Sequence, residues 1–229
     1  MCGRYTLTDP EAICLRFSLE PMTETQIVPR FNIAPSQEVL AIYERYGERV
    51  LKEMRWGFCP AFARDSMKRP PPINARAEGL VDSPLFRRAL ERGRCLIPAD
   101  GFFEWKSNSG LKRKQPYFIG RHDRAPFAFA GLWTPPTDDH PATCVIVTTV
   151  PNALVASIHN RMPVILSSQD EALWLDRQQR SPEMLLPLLR PYPAEELVAF
   201  AVGNSVSNPK NDAHDIVEPV EGMRDLGLG

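Results

Sequence analysis

The chain has 229 residues, 43% of them hydrophobic and 24% charged, with a formal net charge of −1. That length buries a substantial core, so one mixed α/β or α+β domain is the default, and no global charge excess points to nucleic acid. The charge is nevertheless uneven: residues 54–124 hold 15 basic side chains against 7 acidic ones. A local basic face on a neutral protein suits either a phosphate-bearing ligand or plain solvation.

The five cysteines, Cys2, Cys14, Cys59, Cys95 and Cys144, are widely spaced and odd in number. Without a C-x-x-C pair they indicate neither a disulfide framework nor a zinc site. Cys14, Cys95 and Cys144 lie in apolar runs and read as reduced core residues. No signal peptide and no run long enough to span a bilayer is present, which predicts a cytoplasmic protein with no membrane association. No P-loop, H-E-x-x-H, G-x-S-x-G or dinucleotide fingerprint occurs, so no metal and no cofactor is expected.

In chain order, Thr8-Asp9-Pro10-Glu11 predicts a capped helix running to Phe17. Residues 18–37 read as irregular. Glu38 to Tyr46 and Arg49 to Phe58 form a hairpin turned at Gly47, and the proline-dense stretch Pro60 to Pro72 is a surface loop. A short helix opens at Ser83-Pro84 and closes at Gly93. Strands follow at Arg94 to Ala99, Gly101 to Lys106, Gln115 to Ile119, Phe127 to Thr134 and Thr143 to Val150, with a basic tip at Ser107 to Lys114. One or two helical turns cover Asn152 to Ile158, and Val164 to Leu166 is a short strand. Helices are expected at Gln169–Asp176 and Pro182–Leu189, and a last strand at Leu197 to Val202. Many short strands with few helices predict an α+β single domain over 1–221, with a curved, barrel-like mixed sheet, peripheral helices and a frayed tail from residue 222.

Six positions in four stretches carry candidate chemistry. Removal of Met1 before a residue as small as cysteine would leave Cys2 with a thiol and an α-amine on adjacent carbons, two nucleophiles that titrate near neutrality. Arg4 beside them would lower the thiol pKa and hold an anion. Glu104 sits among three aromatic residues in Phe102-Phe103-Glu104-Trp105; facing inward it becomes a general acid or base, facing outward an ordinary strand carboxylate. His159, where an apolar segment stops, is either a proton shuttle or a helix C-cap. Asn74 and Arg76 alternate with Ile73 and Ala75, so both project the same way, toward a sugar and a phosphate or toward solvent.

Taken together, Met1-Cys2-Gly3-Arg4, Phe31-Asn32-Ile33-Ala34-Pro35, Trp56-Gly57, the run Ile73 to Glu78, the run Cys95 to Trp105, and Ile158-His159-Asn160-Arg161-Met162-Pro163 resemble the SRAP family, first labelled SOS response-associated peptidases. Six blocks in order, with Asn208-Pro209-Lys210-Asn211-Asp212 behind them, span nearly the whole chain. The resemblance implies an enzyme of the DNA damage response that binds single-stranded DNA as a monomer and traps abasic sites as a covalent crosslink. It implies Cys2 as the crosslinking residue, Asn74 on the sugar, Glu104 as acid/base and His159 in proton transfer, with Arg4, Arg76 and Arg161 along the DNA. A bacterial member would be nucleoid-associated. Phe62 stands nearest to the family's stacking tryptophan, and Gly79 replaces its usual threonine. An N-terminal-cysteine amide hydrolase, of the glutaminase or self-processing type, is the alternative, because such enzymes also begin Met-Cys-Gly.

Overall fold

The computed structural model describes residues 2–19, 27–64, 67–107 and 113–220. The predicted tail from 222 and the centre of the basic tip, 108–112, lie outside them. In chain order the elements are β1 (Tyr5–Leu7), α1 (Pro10–Phe17), β2 (Arg30–Ile33), β3 (Glu38–Arg45), β4 (Glu48–Trp56), β5 (Asn74–Arg76), α2 (Arg87–Arg92), β6 (Arg94–Ala99) and β7 (Gly101–Lys106). They continue with β8 (Gln115–Arg121), β9 (Phe127–Thr134), β10 (Thr143–Thr149), α3 (Ala153–Ala156), β11 (Met162–Pro163), β12 (Ile165–Leu166), α4 (Ser168–Leu175), α5 (Pro182–Leu185) and β13 (Leu197–Ala201).

Two sheets share the work. One is antiparallel, in the order β13-β8-β7-β1-β2. The other closes on itself through β9-β10-β4-β3-β6, with β5 and β11 added along β10 and β12 along β9. It is a ring of strands and not a regular barrel. The β10–β4 seam is parallel and pairs only Thr143 with Arg55 and Cys144 with Trp56, whereas β3 and β4 pair along their full length.

The sheets meet where β6 passes into β7 through Asp100 alone. Its carboxylate accepts from the Thr8 hydroxyl at 2.7 Å and the Asp9 N–H at 3.3 Å, and also from the Thr6 hydroxyl and the Thr8 N–H. One buried charge with four donors fixes β1, and therefore the residues before it, against the corner. Gly101 follows because a Cβ there would lie 2.2 Å from the Phe118 ring. Alternation along β7 then divides two cores. Phe102 packs edge-on against Phe129 in the main cluster with Tyr5 and Trp56, and Phe103 joins Phe118, Phe200 and Ile216 in the smaller one.

Several expectations need correction. Residues 18–37 are not wholly irregular, since β2 pairs with β1 and its Phe31 and Asn32 N–H groups both donate to Asp212 at 2.6 Å. The Asn32 amide donates to the Val206, Asn208 and Asn211 carbonyls, so two of the sequence blocks exist to hold each other. The loop after Pro60 contains a 3-10 turn at Ala61–Ala63. The helix expected from Ser83 begins with a turn and becomes helical at Arg87. The helix over 182–189 tightens into a 3-10 turn at Leu186–Leu188, where Pro187 has no N–H to give. Cys14 is half-buried, because Ile13 and Phe17 take the inner face of α1; the fully buried thiols are Cys2, Cys95 and Cys144, and all five are free.

Candidate active site

Cys2, Asn74, Glu104 and His159 arrive from four separate parts of the chain. The anchored β1 delivers Cys2. Asn74 opens β5, which pairs in parallel with the centre of β10, and the Trp56 indole N–H fixes its position by donating to the Ile73 carbonyl at 2.8 Å. Glu104 ends the buried run of β7. His159 follows α3, its N–H still donating to the Val155 carbonyl.

The four converge. The Asn74 amide donates to the Cys2 carbonyl at 2.9 Å, while its own Oδ1 is buried without a hydrogen bond. The Glu104 carboxylate lies 4.0 Å from His159 Nδ1. That Nδ1 lies 3.1 Å from the Arg161 N–H and 3.3 Å from the Arg161 carbonyl, so the backbone of Arg161 holds the ring in place. Glu104 is 2% exposed. Its burial raises the carboxyl to about 7. Burial also holds His159 below its usual value. A carboxyl poised at neutrality beside a neutral imidazole can give a proton and take one back.

Cys2 differs from the sequence expectation. Its side chain is wholly buried, and burial together with the nearby Glu104 charge pushes the thiol well above its ordinary range. The Arg4 guanidinium does not lower it: that group turns back to the Gly3 carbonyl at 2.7 Å. The thiol is therefore held as the neutral acid, and any reaction at sulfur needs a base, for which Glu104 is the neighbour.

The cationic residues are arranged less simply. Arg76 is exposed on the strand that carries Asn74. Arg161 is only 12% exposed and is already engaged, forking onto Glu78 at 2.7 and 2.9 Å and donating to the Thr148 carbonyl at 2.7 Å. Sequence reasoning gave Glu78 no role, and nothing in the spacing of residues 78 and 161 could have suggested one. Phe62 is 58% exposed and lies on a different cavity, apart from Cys2, Asn74, Glu104 and His159. Among the described residues no cluster of three metal-binding side chains occurs, and no helix is long and apolar enough to cross a membrane.

A small ring-and-sheet domain whose first residues are carried to a buried carboxyl and an imidazole defines a narrow class of protein. The profile of the family described as SOS response associated peptidase (SRAP) matches residues 1–209, and the chain belongs to that family. It is 40% identical to "Abasic site processing protein YoqW" of Bacillus subtilis over 223 residues, which cover 95% of this chain and 99% of the relative. It is 30% identical to "Abasic site processing protein YedK" of Escherichia coli, covering 96% and 100%. A Bacteroides thetaiotaomicron protein of known structure shares the fold at a TM-score of 0.79, with 22% identity, covering 96% of this chain and all of that one.

Proposed function

We propose that this protein acts on abasic sites in single-stranded DNA, trapping the opened sugar as a covalent adduct of Cys2 once Met1 has been removed. The observation that carries the reading is the meeting of Cys2 with Asn74 and of Glu104 with His159 at one corner. The names of the two relatives, both abasic site processing proteins, support the substrate.

The chemistry follows from the residue types. An abasic deoxyribose opens to an aldehyde at C1′. The Cys2 α-amine adds to that carbon, and Glu104 in its protonated form gives a proton to the departing hydroxyl, so that water leaves and an iminium forms. Glu104, now a carboxylate, takes the proton from the Cys2 thiol, and sulfur closes on the same carbon. The product is a five-membered ring of N, Cα, Cβ, S and C1′, with one water lost and no change of oxidation state. Only a terminal 1,2-aminothiol can close it. His159 relays protons to and from the carboxyl, and Asn74, which holds the Cys2 carbonyl, orients the nucleophile. Such fixed placement replaces a bimolecular condensation by an intramolecular one, an advantage of up to about 10⁵–10⁸ M in effective concentration.

The test uses a labelled abasic oligonucleotide, the same strand intact, and the abasic strand with its aldehyde reduced to an alcohol. A denaturation-resistant band is expected with the first alone, its mass equal to protein without Met1 plus DNA minus water. Cys2→Ala abolishes the band while leaving non-covalent binding of the intact strand. A band retained by Cys2→Ala, or formed by chains that keep Met1, overturns the assignment.

A further inference from the structure

A cavity of about 710 Å³ opens between the β3–β4 hairpin, the turn at Ala61–Ala63, α2 and the end of β9. Among the described residues five cationic side chains line it, Arg45, Lys52, Arg88, Arg92 and Arg177, and no carboxylate does. Among the described residues none of the five forms an ion pair. Two neighbouring acids are otherwise engaged: Glu44 accepts from the backbone of Gly47 and Arg177, and Glu91 pairs with Arg87 at 3.6 Å, while Glu48 stands opposite Arg45 across the hairpin without forming an ion pair among the described residues.

Aromatic rings stand among these cations. Tyr46 is 90% exposed at the tip of the hairpin, with the Arg45 guanidinium 5.3 Å from its ring centre. Its φ of 56° is a left-handed conformation in a two-residue turn where asparagine or glycine is the easy choice. A tyrosine held there, at a cost of about 1 kcal/mol and with little to pack on, presents its ring outward. Phe62 faces the same cavity, and Trp133 forms its floor against Tyr43. Gly93 docks the end of α2 against β9, since a Cβ would sit 2.3 Å from the Trp133 carbonyl, and Arg88 and Arg92 line the same cavity as Trp133.

We propose that this groove is a second nucleic-acid contact, which holds a single-stranded stretch of the substrate strand away from the reacting sugar. Phosphates lie on Arg88, Arg92 and Arg177, and bases stack on Tyr46, Phe62 and Trp133. The proposal rests on the reading of the protein as one that acts on single-stranded DNA. Unpaired cations favour a polyanion, and the interleaved flat rings favour nucleobases over the side chains of an acidic peptide. A smaller cavity, about 450 Å³, shows the contrast. Its three arginines are each paired, Arg16 with Glu171 at 2.6 Å, Arg121 with Asp123 at 2.8 Å and Arg190 with Asp170 at 2.8 Å.

The experiment measures anisotropy of labelled, undamaged thymidine oligonucleotides of two lengths, ~6 and ~24 nucleotides, across a salt series. For the longer strand, the variant Arg88→Ser/Arg92→Ser/Arg177→Ser should lose ~10–30-fold in affinity, and its log–log salt slope should become shallower by about 2, near 0.7 for each phosphate no longer neutralised. The corresponding triple Lys variant should keep the slope. Tyr46→Ala should lose ~5–10-fold with the slope unchanged, as stacking requires. Arg190→Ser, on the other cavity, should stay within about twofold of wild type. The proposal is overturned if the triple Ser variant matches wild type in affinity and slope, if Arg190→Ser weakens binding equally, or if a poly-glutamate peptide binds in place of the oligonucleotide. All substituted side chains in the triple variant are exposed, and thermal melting checks folding. Intact DNA offers no aldehyde, so failure of the Cys2 chemistry leaves these outcomes readable, and failure here leaves the adduct assay untouched.

Discussion

The Cys2 corner and the groove under Tyr46 treat charge in opposite ways. At the corner the reacting groups are enclosed: Glu104 is almost fully buried and Cys2 is buried and neutral, and the neighbouring Arg161 is neutralised by Glu78. In the groove five cations stand without an ion pair among the described residues, four of them exposed. Enclosure makes charge costly and therefore reactive, since a proton moved between buried groups changes a large desolvation term. Exposure makes charge cheap and long-ranged, suited to gathering a polyanion and sensitive to salt. One region is built to change protonation and the other to keep it.

The largest effect that separates them is kinetic. Glu104→Gln removes the proton donor and acceptor of the corner while leaving the groove intact. Single-turnover adduct formation should slow by about 10²-fold or more, with affinity for intact DNA within about twofold. The wild-type rate should inflect near pH 7, where burial places the carboxyl, and the variant should lose that inflection. An unchanged rate would remove Glu104 from the chemistry and erase the distinction between the regions.

The second effect is thermodynamic and comes from the same side chain. The Glu104 carboxyl sits near 7 in the folded protein against 4.5 ordinarily, so the folded state holds the proton more tightly. Stability is then greatest below about pH 4.5 for this group and is lost as pH rises through 7. The full shift is worth at most about 3 kcal/mol. Glu104→Gln should therefore be more stable than wild type at pH 8, by about 2–3 kcal/mol in urea unfolding, and indistinguishable near pH 4.5. Equal stability at both pH values would show that the corner carries no stored cost.

How far the sequence reveals these regions differs in the same way. The corner was legible because each residue sits inside a local block whose chemistry is odd on its face, a carboxylate among aromatics or a thiol at the chain start. What the blocks could not give is that Cys2 is buried, since burial comes from the Asp100 anchor ninety-odd residues away. The strong strands β9 and β10 were plain from their apolar runs, whereas β1, β2 and β11 are too short to show a period and exist through their partners. Arg94 reads as a strand residue, yet its guanidinium is buried and donates to the carbonyls of Leu90, Glu91, Trp174, Asp176 and Gln179, a knot that spacing cannot disclose. The groove was illegible for the same reason. Arg45, Arg88 and Arg177 belong to three distant segments, and only the packing of the hairpin, α2 and the end of α4 puts them together.

The smallest effect asks whether the two treatments of charge can be exchanged. Arg161 would resemble a groove cation but for Glu78, whose carboxylate forks onto it and is itself about half exposed. That fork holds the Glu78 carboxyl below its ordinary value. Glu78→Gln removes the negative charge and keeps an acceptor, so Arg161 retains its hold on the Thr148 carbonyl and gains a free charge. An exposed pair of this kind is worth at most about 1 kcal/mol, so folding stability should change by less than that. Binding of intact single-stranded DNA should tighten ~2–5-fold at low salt, and the salt slope should steepen by about 0.7, as neutralising one more phosphate requires. The gain should fade as salt rises, and it should persist when Arg88, Arg92 and Arg177 are serine, because the two regions engage different phosphates. If Glu78→Gln instead weakens binding, the carboxylate is orienting Arg161 toward the strand, and neutralisation at the corner is part of how it binds.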